Sequence, residues 1–98
     1  MSDMSDEQLM DFVQAVLSRT PIDSRFRIRR VYRDPIDRTI VWSHLDACGA
    51  MSGERSHATT SIIFNLSEMR ELGGEGCYHY VYEKLRTANE GLREFVEQ

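Results

Sequence analysis

Lysine is almost missing from this chain of 98 residues: Lys84 stands alone beside eleven arginines. Cysteine occurs twice (Cys48, Cys77) and proline twice (Pro21, Pro35). Two cysteines make no disulfide framework, and in an intracellular chain of this size free thiols are the expectation. Low-complexity tracts, internal repeats and interdomain linkers are all missing. No apolar run approaches the ~20 residues that cross a bilayer, and Met1–Glu7 is acidic where a secretory leader is basic and then apolar. A cytoplasmic location without a membrane span is therefore expected.

What is present suits one globular domain. The chain is 41% apolar and 29% charged, away from the disordered range and long enough for a single core. One α+β domain over residues 1–98 is predicted, with residues 1–4 disordered and 47–57 a mobile loop. Ser5 followed by Gln8 has the form of a capping box. Leu9, Phe12, Val13, Val16 and Leu17 then recur at helical spacing, and Pro21 ends a helix over about 5–19. From Arg25 the period becomes two. It slips at Arg30-Val31, where a bulge fits, and resumes over Arg38–Asp46 after the turn Asp34-Pro35-Ile36-Asp37. Thr59–Leu66 reads as a third strand. A short helix capped by Asn65 or Ser67 ends at Gly73-Gly74, and a long C-terminal helix follows with Tyr78, Val81, Tyr82, Leu85, Ala88, Leu92, Phe95 and Val96 as its apolar face. The order is α-β-β-β-α-α. The fold class that follows is a three-stranded antiparallel sheet with helices on one face. One side of the second strand, either Ile40-Trp42-His44 or Val41-Ser43-Leu45, must face away from the helices, which predicts an interface and a homodimer.

Charge is distributed unevenly. Arg19, Arg25, Arg27, Arg29, Arg30, Arg33 and Arg38 fall in one stretch with Asp23, Asp34 and Asp37, a net of +4, while residues 1–18 and 39–98 each carry −4. Such a strip suits anions, an acidic partner or the protein's own acidic ends. The α-β-β-β-α order is similar to that of the double-stranded-RNA-binding domain. That family's basic cluster at the start of the last helix is replaced here by Glu75-Gly76-Cys77-Tyr78-His79-Tyr80.

Three further constellations bear on chemistry. His44, Cys48, His57, Cys77 and His79 lie in one 36-residue window, but their spacing lacks the C-x2-C pattern of zinc sites, so neither metal nor cofactor is expected. Ser43, His44 and Asp46 cannot form a triad, because strand neighbours alternate faces. The Gly49–Gly53 loop lacks the phosphate-loop pattern. No enzyme is expected. On the C-terminal helix Tyr78 and Tyr82 share a face, which places them in the core and exposes Tyr80 as a contact residue.

The expected function is that of a small non-enzymatic protein-interaction module. Its contact residues are Arg25, Arg27, Arg29, Arg30, Arg33, Arg38, Trp42 and Tyr80; the alternative is a nucleic acid or phosphorylated small ligand on the arginine-rich hairpin. In size, acidity and arginine-rich lettering the chain resembles the small accessory proteins of bacteriophages and mobile elements, including anti-defence inhibitors. That resemblance implies inhibition of a host protein.

Overall fold

The capping box forms. Ser5 Oγ accepts from the Gln8 N–H at 3.1 Å and Gln8 Oε1 accepts from the Ser5 N–H at 2.9 Å, so two donors that a helix start leaves open are satisfied reciprocally. Helix α1 (Asp6–Arg19) ends at Thr20, which is extended as a residue before proline must be. Its buried face is Leu9, Val13, Val16 and Leu17. The structure, a computed structural model, describes residues 4–47 and 57–97. The expectations for residues 1–3 and for 48–56 lie outside the described residues. Within reach of them, Met4 packs against the core and Ala47 is buried at a strand end.

Four strands form one antiparallel sheet: β1 (Phe26–Ile28), β2 (Tyr32–Arg33), β3 (Ile40–Ala47) and β4 (Thr59–Asn65). Central β3 has β1 and β2 on one side and β4 on the other. Ile28 lies opposite Leu45 and Tyr32 opposite Trp42, so four steps on the outer strand match three on β3. That is a one-residue bulge, at the place where the alternation slips. It divides the expected first strand in two and makes four strands from three. Before the bulge Phe26 and Ile28 point inward; after it Val31 does. The buried Ser43 hydroxyl donates to the Arg29 carbonyl at 3.0 Å, so a carbonyl that the bulge turns out of the ladder still has a partner.

The sheet's inner face carries Val41, Ser43, Leu45 and Ala47 of β3 and Ile62 and Phe64 of β4, all buried. They form one core with α1 and with Met69, Cys77, Val81, Leu85 and Leu92 of helix α2 (Leu66–Val96). Asn65 is the cap of α2, its Oδ1 accepting from the Glu68 N–H at 3.0 Å. Gly73, at φ 78° and ψ −177°, breaks α2 into the expected short and long parts.

The apolar face of the long part holds Val81, Leu85, Ala88, Leu92 and Val96 as expected, and corrects the expectation for its tyrosines and for Phe95. Cys77, Val81 and Leu85 point inward, while Tyr78 is 47% exposed and Phe95 also lies outside. Tyr82 is half-buried and stacks on Tyr78 with centroids 6.1 Å apart. Tyr80, expected outside, is the tyrosine turned in. It tilts against Phe64, and its hydroxyl accepts from the Asn65 N–H at 2.9 Å. Burial raises the Tyr80 phenol above its ordinary range.

Gly73 and Gly74 separate backbone strain from packing. A Cβ would meet nothing within 4 Å at either position, but only Gly73 has positive φ. Gly73→Ala should lower stability by about 1–3 kcal/mol through strain alone. Gly74→Ala should be neutral or stabilising by up to about 1 kcal/mol. Urea denaturation of both variants checks this contrast.

Candidate interaction surface

The arginine strip divides into residues used inside the fold and residues facing solvent. Arg25 forks Asp23 through Nε and Nη2 at 2.8 and 2.6 Å, and Nη2 reaches Glu97 at 2.9 Å. Arg33 Nη2 meets Asp6 at 2.7 Å, and its Nε and Nη2 donate to the Arg38 carbonyl at 3.1 and 2.9 Å. Asp6 is shared with Arg70, whose Nε also donates to the Met4 carbonyl at 3.2 Å. Arg29 pairs with Asp46 at 2.8 Å, and Asp46 also accepts from the Thr59 hydroxyl. Thus Arg25 and Arg33 hold the chain's own acidic ends. Among the described residues no carboxylate lies within ion-pair distance of Arg27, Arg30 or Arg38, and all three are exposed.

The face of the sheet away from the helices is the Ile40-Trp42-His44 side. His44 sits between two aromatic rings, Tyr32 at 5.7 Å and Trp42 at 6.2 Å between centroids. The polar edges of this cluster are matched to one another. The Tyr32 hydroxyl and His44 Nε2 are 2.9 Å apart, Ser61 Oγ and His44 Nδ1 3.2 Å, and Trp42 Nε1 donates to Asp34 Oδ2 at 2.9 Å. What remains for contact is apolar surface, with Tyr32 46% and Ile63 43% exposed. Trp42 is only half-buried and belongs to this face, as one of the two sequence alternatives required.

At the tip of the hairpin Asp34 Oδ1 accepts from the Ile36 and Asp37 N–H groups at 2.8 and 2.9 Å. These bonds and the Trp42 indole hold its carboxyl below the usual range. The tight turn leaves Ile36 92% exposed. Sequence reasoning passed over Ile36, Tyr32 and Ile63. For Ile36 a signal existed: an isoleucine where turns favour Asn, Asp or Gly. Arg27 lies opposite Asp46 at the far end of this same open face. Arg30, in the bulge, lines two open grooves. One, of about 510 Å³, lies against Gln14, Ala15 and Ser18 of α1; the other, of about 520 Å³, against Met10, Tyr32, Arg33 and Arg38.

Other candidates are dispersed. Ser43 faces the core and His44 the opposite side, as alternation requires. Cys77 is buried among apolar residues, which raises its thiol above the ordinary range. His79 is exposed on α2, and Cys48 lies outside the described residues. Tyr80, turned inward against Phe64, lies off the open sheet face and stays partly exposed. No helix among the described residues is long and apolar enough to cross a membrane. Compared with protein-family models, with curated proteins and with solved structures, the chain matches none.

The internal ion pairs make stability depend on acid. The Arg25 fork holds Asp23 at about 2 against an ordinary 3.8, and the Arg70 and Arg33 guanidiniums lower Asp6 as well. A carboxyl depressed in the folded state stabilises fully above its unfolded value and loses that contribution as pH falls. Denaturation midpoints should therefore drop between pH values of about 4 and about 2. Asp23→Asn should start lower at neutral pH and show a shallower fall.

Proposed function

We propose that this chain is a small cytoplasmic protein-interaction module that binds an acidic segment of another protein along the hairpin of residues 26–47, masking that segment from other partners. The observation that carries the reading is Ile36, almost fully exposed at the tip of a turn tied down by Asp34. An isoleucine held rigidly in solvent adds nothing to the core and suits an anchor. On the same hairpin lie Tyr32 and Trp42, with Arg38 near the turn, Arg30 in the bulge and Arg27 at the far end, none of these arginines within ion-pair distance of a carboxylate among the described residues. Aromatic, aliphatic and arginine side chains together are the composition on which interface energy concentrates. The reading assigns binding and no chemistry to the chain.

Free arginines beside aromatic rings on a sheet also suit a nucleic acid. The whole-chain charge of −4 opposes that, because phosphate neutralisation supplies most such affinity. Capture by the tagged chain from its source cells, with protein and nucleic acid both identified, separates the two. Ile36→Asp, and the triple Arg27, Arg30, Arg38→Gln, should keep the wild-type Tm and lose the same protein. Arg25→Gln should lower Tm yet retain it. Retention by both surface variants would overturn the reading. Sub-micromolar, salt-sensitive binding of a random duplex would replace it with the nucleic-acid one.

A further inference from the structure

Strand β4 is the other edge of the sheet, and its hydrogen bonding is incomplete. Along a strand, the N–H and C=O of one residue point to the same side and successive residues alternate. The carbonyls of Ile40 and His44 accept from Asp34 and Arg29, whereas the Ala47 N–H donates to the Ala58 carbonyl. β3 therefore turns Val41, Ser43 and Leu45 toward β4, where Phe64, Ile62 and Thr60 lie opposite. Thr59, Ser61, Ile63 and Asn65 are left with backbone groups aimed away from the sheet. The Asn65 N–H is taken by the Tyr80 hydroxyl at 2.9 Å. The outward N–H groups of Thr59, Ser61 and Ile63 have no partner among the described residues.

An open edge is normally blunted by charge, proline or a bulge. β4 (Thr59-Thr60-Ser61-Ile62-Ile63-Phe64-Asn65) has none of these. Beside it runs a groove of about 410 Å³ between the strand and α2, lined on the helix by Glu83 and Lys84 and by Thr87, Ala88 and Gly91, of which the last three are small enough to let a second backbone approach.

We propose that a second copy of this chain pairs its own β4 antiparallel on this edge, joining the two sheets into one about a two-fold axis near Ser61. The choice of occupant rests on self-complementarity. A two-fold through Ser61 sets Ser61 against Ser61 and Thr59 against Ile63, outward groups meeting outward groups. A charged strand would set like charges against each other in that arrangement; this strand carries no charge. The Asn65–Tyr80 bond bounds the ladder at one end. The contact runs along the β4 edge and meets the open face only through Ser61, whose hydroxyl lies against His44, and Ile63.

Light scattering coupled to size exclusion, over a wide concentration range, reads the mass, and hydrogen exchange reads the edge. A mass twice the 11.4 kDa of one chain is expected, with the Ser61 and Ile63 amides slow at high concentration and fast on dilution. Ser61→Pro removes an N–H that β3 does not use, and Ser61→Lys places two ammonium groups face to face; each should yield a folded monomer. If Ser61→Pro fails to fold, Ser61→Lys decides. The triple Arg27, Arg30, Arg38→Gln should remain dimeric. A monomer at every concentration, a dimer that survives Ser61→Lys, or a dimer with fast edge amides would each overturn the proposal. Protection that arises only when another protein's extended segment is added would assign the edge to that segment instead.

Discussion

The one-residue bulge between β1 and β2 is the constraint on which the arrangement of the hairpin depends. Ser43 pins it from inside the core by donating to the Arg29 carbonyl. Because of the extra residue, Val31 can enter the core although Ile28 already has. Tyr32 is thereby set on the open face beside His44, and Arg30 is thrown outward between α1 and the strand. Without Arg30 the two pairings, Ile28 with Leu45 and Tyr32 with Trp42, would join in one unbroken register. The bulge interrupts that ladder and leaves the packing phase intact, which is how bulges re-aim side chains.

Charge follows the same division. The arginines nearest the chain's ends in space, Arg25 and Arg33, are consumed by Asp23, Glu97 and Asp6, and this stitches α1, the hairpin and the end of α2 together. Arg29 pairs with Asp46, and Arg27, Arg30 and Arg38 face solvent. A net positive strip in sequence thus becomes a smaller set of free guanidiniums in space, interspersed with Ile36 and Tyr32. On the proposed reading, it is this mixture rather than the total charge that recognises a partner.

Features with a local cause were legible in the sequence. The capping box at Ser5, the stop before Pro21, the slip at Arg30-Val31 and the break at Gly73 each follow from neighbouring residues. The face of β3 that turns inward was not legible, since both sets contain large apolar groups. Ile62, Phe64 and Phe26, on the strands beside β3, join its Val41 side in the core. The face of α2 was legible in Val81, Leu85 and Leu92, but its tyrosines were misread because those at 78, 80 and 82 compete for the core. Tyr80 wins through its bond to the Asn65 N–H, a contact between residues fifteen apart with no local sign. The Asp6 pairs with Arg33 and Arg70 are longer-range still. The candidate surface was legible in its arginines and in Trp42. It was hidden in Ile36 and Tyr32, whose exposure depends on the turn and the bulge.

If the bulge exists for the surface, the core should not need it. Deleting Arg30 together with Ser43→Ala, which removes the hydroxyl that would otherwise lose its acceptor, is the most direct test. The deletion variant should fold with a urea midpoint equal to or above that of Ser43→Ala alone, and should capture the partner bound by the wild type more weakly, because the outward guanidinium of Arg30 is gone while Tyr32 and Ile36 stay. A variant that folds and captures it as tightly as Ser43→Ala alone, or one that cannot fold, would show that the bulge does not serve the contact surface.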